Sequence, residues 1–135
     1  MSAAAYDIVL EQGEDWAPIW TLNYSGTGSP IDLTGFSAHL QMRSTFYATS
    51  ILAEFKSSNG SIVLGGAAGT VQPIMSAAQS TALSSGQVAL TNTINGRQVF
   101  KLGTYDLKIT DAGGKVSTVM GGNVWMAPQV TVGGS

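Results

Sequence analysis

The stretch that most narrows the possible folds is "GTYDLKITDAGGKVSTVM", Gly103–Met120. Tyr105, Leu107 and Ile109 alternate with Thr104, Asp106, Lys108 and Thr110. A period of two sends the first set to one face of a strand and the second set to the other. "AGG" then lies between Asp111 and Lys115, and a second strand-like run begins at Val116. Two such runs joined by a Gly-bearing turn read as a β-hairpin.

The rest of the chain repeats this signature at short intervals. Tyr6–Glu11 reads as a strand, and "QGED" as a turn in which Gly13 takes positive φ. In "WAPIWTLNY", Trp16, Trp20, Leu22 and Tyr24 share a parity and one face, while Pro18 marks an edge or a bulge. "SGTGSP" is a loop. In "IDLTG", Asp32 closes an Asx-turn and Gly35 relaxes the backbone. Phe36–Arg43 alternates again, with Phe36, Ala38, Leu40 and Met42 apolar and Ser37, His39, Gln41 and Arg43 polar. Ser44–Ser50 is irregular. Ile51–Lys56, Ser61–Leu64, Thr70–Ile74 and Val88–Ile94 read as further strands, and Gly121–Gly122 as a bulge or bend. One short helix is expected near Ser76–Leu83, capped by Ser76 and packed on the sheets. The fold class is therefore all-β: an antiparallel β-sandwich, jelly-roll-like or alternatively immunoglobulin-like.

A chain of 135 residues suits one domain, residues 1–135, and buries roughly 68% of its unfolded surface. It needs no disulfide or metal to hold a core, and it has no cysteine. Charged residues make up 10% of the chain against about 25% in an average soluble domain. Such a surface suits a subunit of an assembly, because interface cores are depleted in charge. Six basic residues face eight acidic ones without a cluster or stripe, so no nucleic-acid partner is expected. No segment approaches the roughly 18 apolar residues of a membrane span. "MSAAAYD" lacks the basic start and apolar run of a secretory signal.

Catalytic chemistry finds little purchase. His39, the single histidine, lies on the polar side of its strand, where its same-face neighbours Ser37 and Gln41 are not bases. There is no Gly-x-Ser-x-Gly elbow. One histidine without cysteine gives no zinc site. Glu11, Glu14 and Asp15 cluster in the first turn but match no calcium loop. "GGAAG" and Gly113–Lys115 match no phosphate-binding pattern. Neither catalytic residues nor a cofactor are expected. Trp16, Trp20 and Trp125 are candidates for core packing, a subunit interface or sugar stacking.

Five segments in order carry a resemblance: "QGEDW" at Gln12–Trp16, "PIDLTGFSAHLQMR" at Pro30–Arg43, "GSIVLGGAAGTVQPIM" at Gly60–Met75, "STAL" at Ser80–Leu83 and "GTYDLKITDAGGKV" at Gly103–Val116. The series resembles a small β-domain of tailed-bacteriophage virion proteins, which occurs alone and at the N-terminus of tail or baseplate proteins. The similarity runs from about Asp7 to Val130. Gln87–Phe100 departs from it as an extra hairpin or arm. A single such sandwich is similar to capsid cement (decoration) proteins. The resemblance implies a site on the capsid surface of a virion, the major capsid protein as partner, and assembly as a homo-oligomer, dimer or trimer. A tail or baseplate component, or an adhesion-type β module, is the second implied role. The N-terminal arm, residues 1–6, is small and apolar. Ala3, Ala4, Ala5 and Tyr6 are therefore expected at the interface with Trp16, Trp20 and Trp125.

Overall fold

The computed structural model describes residues 4–24, 26–45, 49–83 and 90–128. Among the described residues, ten strands form two layers, joined by one short α-helix and two single 3-10 turns. The larger sheet runs β1–β10–β9–β4–β5, from β1 (Ala4–Ala5), β10 (Val116–Ala127), β9 (Arg97–Thr110), β4 (Ser37–Arg43) and β5 (Ala53–Lys56). Two further strands join it: β2 (Ile8–Glu11) pairs with β10, and β8 (Asn92–Ile94) pairs with β9. The smaller sheet runs β3 (Trp20–Thr21), β7 (Thr70–Pro73), β6 (Ile62–Leu64).

The alternation of each strand fixes which face is buried. Ala38, Leu40 and Met42 of β4 and Tyr105, Leu107 and Ile109 of β9 all point into the sandwich. They meet Ile62 and Val71 from the smaller sheet and Ile8, Leu10, Val124 and Met126 from the N- and C-terminal strands. A fully buried aliphatic side chain contributes about 1.5–3 kcal/mol, so a continuous core of this kind needs no cross-link. The expected all-β sandwich is thus observed. Its strand order decides between the two arrangements expected. A five-strand path with a parallel N-terminal strand beside β10, facing a β3–β7–β6 layer, follows the immunoglobulin-like order and not the jelly roll.

Several local signals hold. Gly13 (φ 89°) and Gly35 (φ 81°) take positive φ. The Asp32 carboxylate accepts from Thr34 N–H at 3.0 Å. Helix α1 (Ala77–Ala82) carries a capping box: Ser76 Oγ accepts from Gln79 N–H and Gln79 Oε1 accepts from Ser76 N–H. The buried Ser80 hydroxyl accepts from Gly13 N–H and donates to the Glu14 carbonyl, tying the helix to the first turn.

Within this sandwich β1 and β2 run parallel to β10, while the other strand pairs are antiparallel. Two expectations are corrected. The N-terminal segment is not a free arm in its described part: Ala4 and Ala5 pair with Met120 and Gly121, and Tyr6 N–H donates to the Gly121 carbonyl at 3.0 Å. Gly121–Gly122 is not the bulge. The register slips at Val119, flanked by Thr118↔Lys108 and Met120↔Leu107, and again opposite Leu102. At Val119–Met120 two consecutive apolar residues are buried, as the extra residue of a bulge allows. Gly122 has a different cause: a Cβ there would stand 2.4 Å from the Tyr6 carbonyl oxygen and 2.8 Å from Asp7 Oδ1. The expected strand Val88–Ile94 is observed as Asn92–Ile94, which forms a hairpin with β9 through Asn95 (φ 51°) and Gly96 (φ 79°). Residues 88–89 of that expected strand, and 87–89 of the expected arm 87–100, lie outside the described residues.

Candidate docking groove

The two sheets leave one side of the sandwich open, between β1 of the larger sheet and β3 of the smaller. A groove of about 810 Å³ runs there, lined among others by Ala4, Ala5, Tyr6, Ile19, Trp20 and Tyr24. None of its lining residues is charged. Tyr6 is 48% exposed, Tyr24 50% and Ile19 65%, so large apolar side chains stand at its rim in water. Exposed apolar side chains grouped around an uncharged groove make this the candidate interaction surface.

The groove gathers four of the seven residues that the sequence nominated: Ala4, Ala5, Tyr6 and Trp20. Ala3 lies outside the described residues. Of the four residues expected on one face, Trp16, Trp20 and Leu22 pack against the core while Ala17, Ile19 and Thr21 face outward, but Tyr24 is exposed and does not join them. Trp16 belongs to the interior and does not line the groove. An edge-to-face series of rings runs inward from the rim, Tyr6–Trp20 (5.9 Å), Trp20–Trp16 (5.9 Å) and Trp16–Phe55 (5.8 Å). Trp20 Nε1 is buried without a hydrogen-bond partner among the described residues. Trp125 sits elsewhere: its Nε1–H donates to the Asp7 carboxylate at 3.1 Å. The other Asp7 oxygen accepts from Asn123 N–H at 3.0 Å. These bonds, the Asn123 one foremost, hold Asp7 below the ordinary carboxylate range. Trp125 therefore helps to hold the β1–β2 junction through Asp7. The Tyr105 hydroxyl donates to the Tyr6 carbonyl at 2.5 Å and completes the clamp. Burial, with Tyr6 and Asp7 nearby, pushes the Tyr105 phenol up.

Sequence reasoning missed Ile19, Tyr24, Val119 and Met120 as groove residues. A signal was present: Trp16–Ile31 is a run without one charged side chain.

His39 lies on the opposite, outward face of β4. The register places Lys56 and Lys108 directly across from it, and its Nε2 meets Glu54 at 2.7 Å and the Gln41 carboxamide at 3.3 Å. The carboxylate partner that sequence spacing did not reveal is thus supplied across strands. Hydrogen bonds from Gln41 and then His39 lower the Glu54 pKa. Both side chains of the pair are open to water, at 42% and 33% exposure, and no hydroxyl among the described residues hydrogen-bonds the ring. Ordered dipoles gain their catalytic strength from a water-excluded setting, which an exposed sheet face lacks. Among the described residues no group of three or more His, Asp or Glu side chains is placed to hold a metal ion.

No protein-family model matches the chain, and no curated protein matches it. Among solved structures it is similar to the extracellular domain of the voltage-gated sodium channel β4 subunit, described as parallel homodimers with a role in cell–cell adhesion. That match has 12% identity, 96% coverage of this chain, 98% of the other and a TM-score of 0.40. It is also similar to extracellular domains 3–5 of Drosophila OTK, with 15% identity, 93% of this chain covered and a TM-score of 0.34. The match covers 33% of the OTK chain.

Proposed function

We propose that the chain is a structural protein of a tailed-bacteriophage virion, a cement protein that binds the outer shell and ties neighbouring major capsid subunits together. The reading starts from the ordered motifs between Gln12 and Val116 and is supported above all by the groove. An uncharged surface bounded by two sheet edges, on a chain with few charges elsewhere, is suited to adhesion. In a pressurised shell, separating two capsid subunits then also requires breaking the contacts of the bridging protein. Apolar burial contributes about 25 cal/mol per Å² before association costs, so modest interfaces repeated over a shell sum to a large resistance.

Deleting Met1–Ala5 removes the β1 lip and lowers occupancy on purified capsids, while the remaining domain keeps its cooperative unfolding. Undiminished occupancy of the truncated protein on capsids would refute the reading. The immunoglobulin-like strand order favours a second reading, a tail or baseplate component or an adhesion-type module. Quantitative staining of purified particles separates the two: many copies over the head support the first, a ring-like stoichiometry on the tail supports the second.

A further inference from the structure

We infer that β3 is a homodimerisation edge, and that two copies of this chain join their smaller sheets by antiparallel β3–β3 pairing across a two-fold axis at Thr21. The argument begins with the ladder. β3 pairs with β7 alone, in the register Trp20↔Val71 and Thr21↔Thr70. Leu22 N–H donates to the Gly69 carbonyl at 2.8 Å, so the residues that turn their main-chain groups toward β7 have even numbers. In an extended strand the odd residues then point theirs the other way. The N–H and C=O groups of Ile19, Thr21 and Asn23 accordingly face outward along the groove.

An exposed strand edge is a ready template for another strand, and proteins that must avoid such pairing blunt the edge with a very short strand, charges, proline, bulges or a covering loop. β3 itself is two residues, but its register with the facing segment continues to the Trp16↔Met75 bridge, so the extended edge is longer than the strand. This edge has no charged guard. Trp16–Ile31 contains no charged residue, and the groove beside β3 contains none either. Two identical copies therefore meet there without like-charge repulsion. Antiparallel pairing of one strand with itself is an isologous contact, which closes at two subunits. Centred on Thr21, it sets Thr21 opposite Thr21 of the second copy and Ile19 opposite Asn23. The exposed Tyr24 ring and the Ile19 side chain lie along this edge and lose water as the copies join, while the β1 lip across the groove remains available to the shell.

The chain lacks cysteine, so a single introduced thiol reports one contact. Hydrogen-bonded antiparallel partners have Cα atoms about 5.5 Å apart, within the range a disulfide spans. The purified full chain is expected to sediment as a dimer. Thr21→Cys is expected to cross-link to a covalent dimer under mild oxidation, while Val116→Cys, 55% exposed on β10, is not. Thr21→Lys places two like charges opposite each other and weakens association at least about tenfold with unchanged thermal unfolding of the monomer. A monomeric wild-type chain overturns the inference, as does a dimer in which Thr21→Cys fails to cross-link or Val116→Cys cross-links equally. The inference deepens the homo-oligomer part of the proposed function and is tested without capsids. Its failure leaves shell occupancy to be judged on its own measurement.

Discussion

Gly122→Ala tests the junction that shapes the groove. A Cβ added at this position meets the Tyr6 carbonyl oxygen at 2.4 Å, Asp7 Oδ1 at 2.8 Å and the Tyr6 carbonyl carbon at 2.9 Å. Two of the three are main-chain atoms, so no side-chain rotation relieves the overlap. Restoring an ordinary non-bonded separation requires the strands to part by about 1 Å. Hydrogen bonds of 2.5–3.1 Å do not survive such a shift. The contacts at risk are Asn123 N–H and Trp125 Nε1–H to Asp7, Tyr105 O–H to the Tyr6 carbonyl, and Tyr6 N–H to the Gly121 carbonyl. At roughly 1 kcal/mol net for each, with exposure of Asp7 reducing its share, the expected loss is about 2–4 kcal/mol. For a protein of this size that lowers the urea midpoint by roughly 1–2 M. Gly121→Ala is the matched control, because its nearest contact is 3.4 Å, to the Tyr105 carbonyl oxygen. Urea unfolding followed by tryptophan fluorescence compares the two variants. A Gly122→Ala midpoint equal to that of Gly121→Ala would refute the close-approach account of this glycine.

Two further predictions follow from the clamp and the ring series. Trp16→Ala opens the space between Trp20 and Phe55 and is expected to destabilise the fold by about 3 kcal/mol, read by thermal and urea unfolding; an effect under about 0.5 kcal/mol would place Trp16 outside the core. Asp7 has a lowered folded pKa, so its contribution is complete above the ordinary value of 3.8 and is lost as pH falls through the lower folded value. Urea midpoints below pH 3.8 and at neutral pH should therefore converge more closely in Asp7→Asn than in the wild type; equal acid sensitivity in both would show that Asp7 does not carry the effect.

What the sequence makes legible here is local. The Asx-turn at Asp32, the positive φ of Gly13 and Gly35, the Ser76 cap and the inward row of Ala38, Leu40 and Met42 each depend on residues close in the chain. The hairpin from Arg97 to Ala127 is equally readable, because alternation and its turn coincide. The unreadable parts depend on distant pairing. Ala4 and Ala5 carry no pattern that distinguishes a parallel strand beside β10 from a loose arm. Gly122 looks like punctuation until Tyr6 and Asp7 are seen beside it. The Glu54 partner of His39 arises from the β4–β5 register, which neither strand encodes alone. The candidate groove was half legible for the same reason. Size and apolarity are visible in Ala4, Ala5, Tyr6 and Trp20 one residue at a time, whereas their convergence requires β1, β3 and β10 to be placed together.

The parallel pairing of β2 with β10 has a mechanical meaning. Ile8–Glu11 and Val124–Ala127 run in the same direction, so tension that draws the Ala4 end and the Pro128 end apart slides one strand lengthwise along the other. Every bond of that ladder is then stretched together, unlike a hairpin pulled from its open end, which peels one link at a time. A module joined in this way resists stretching along its own axis, a property fitting for material that must hold under load.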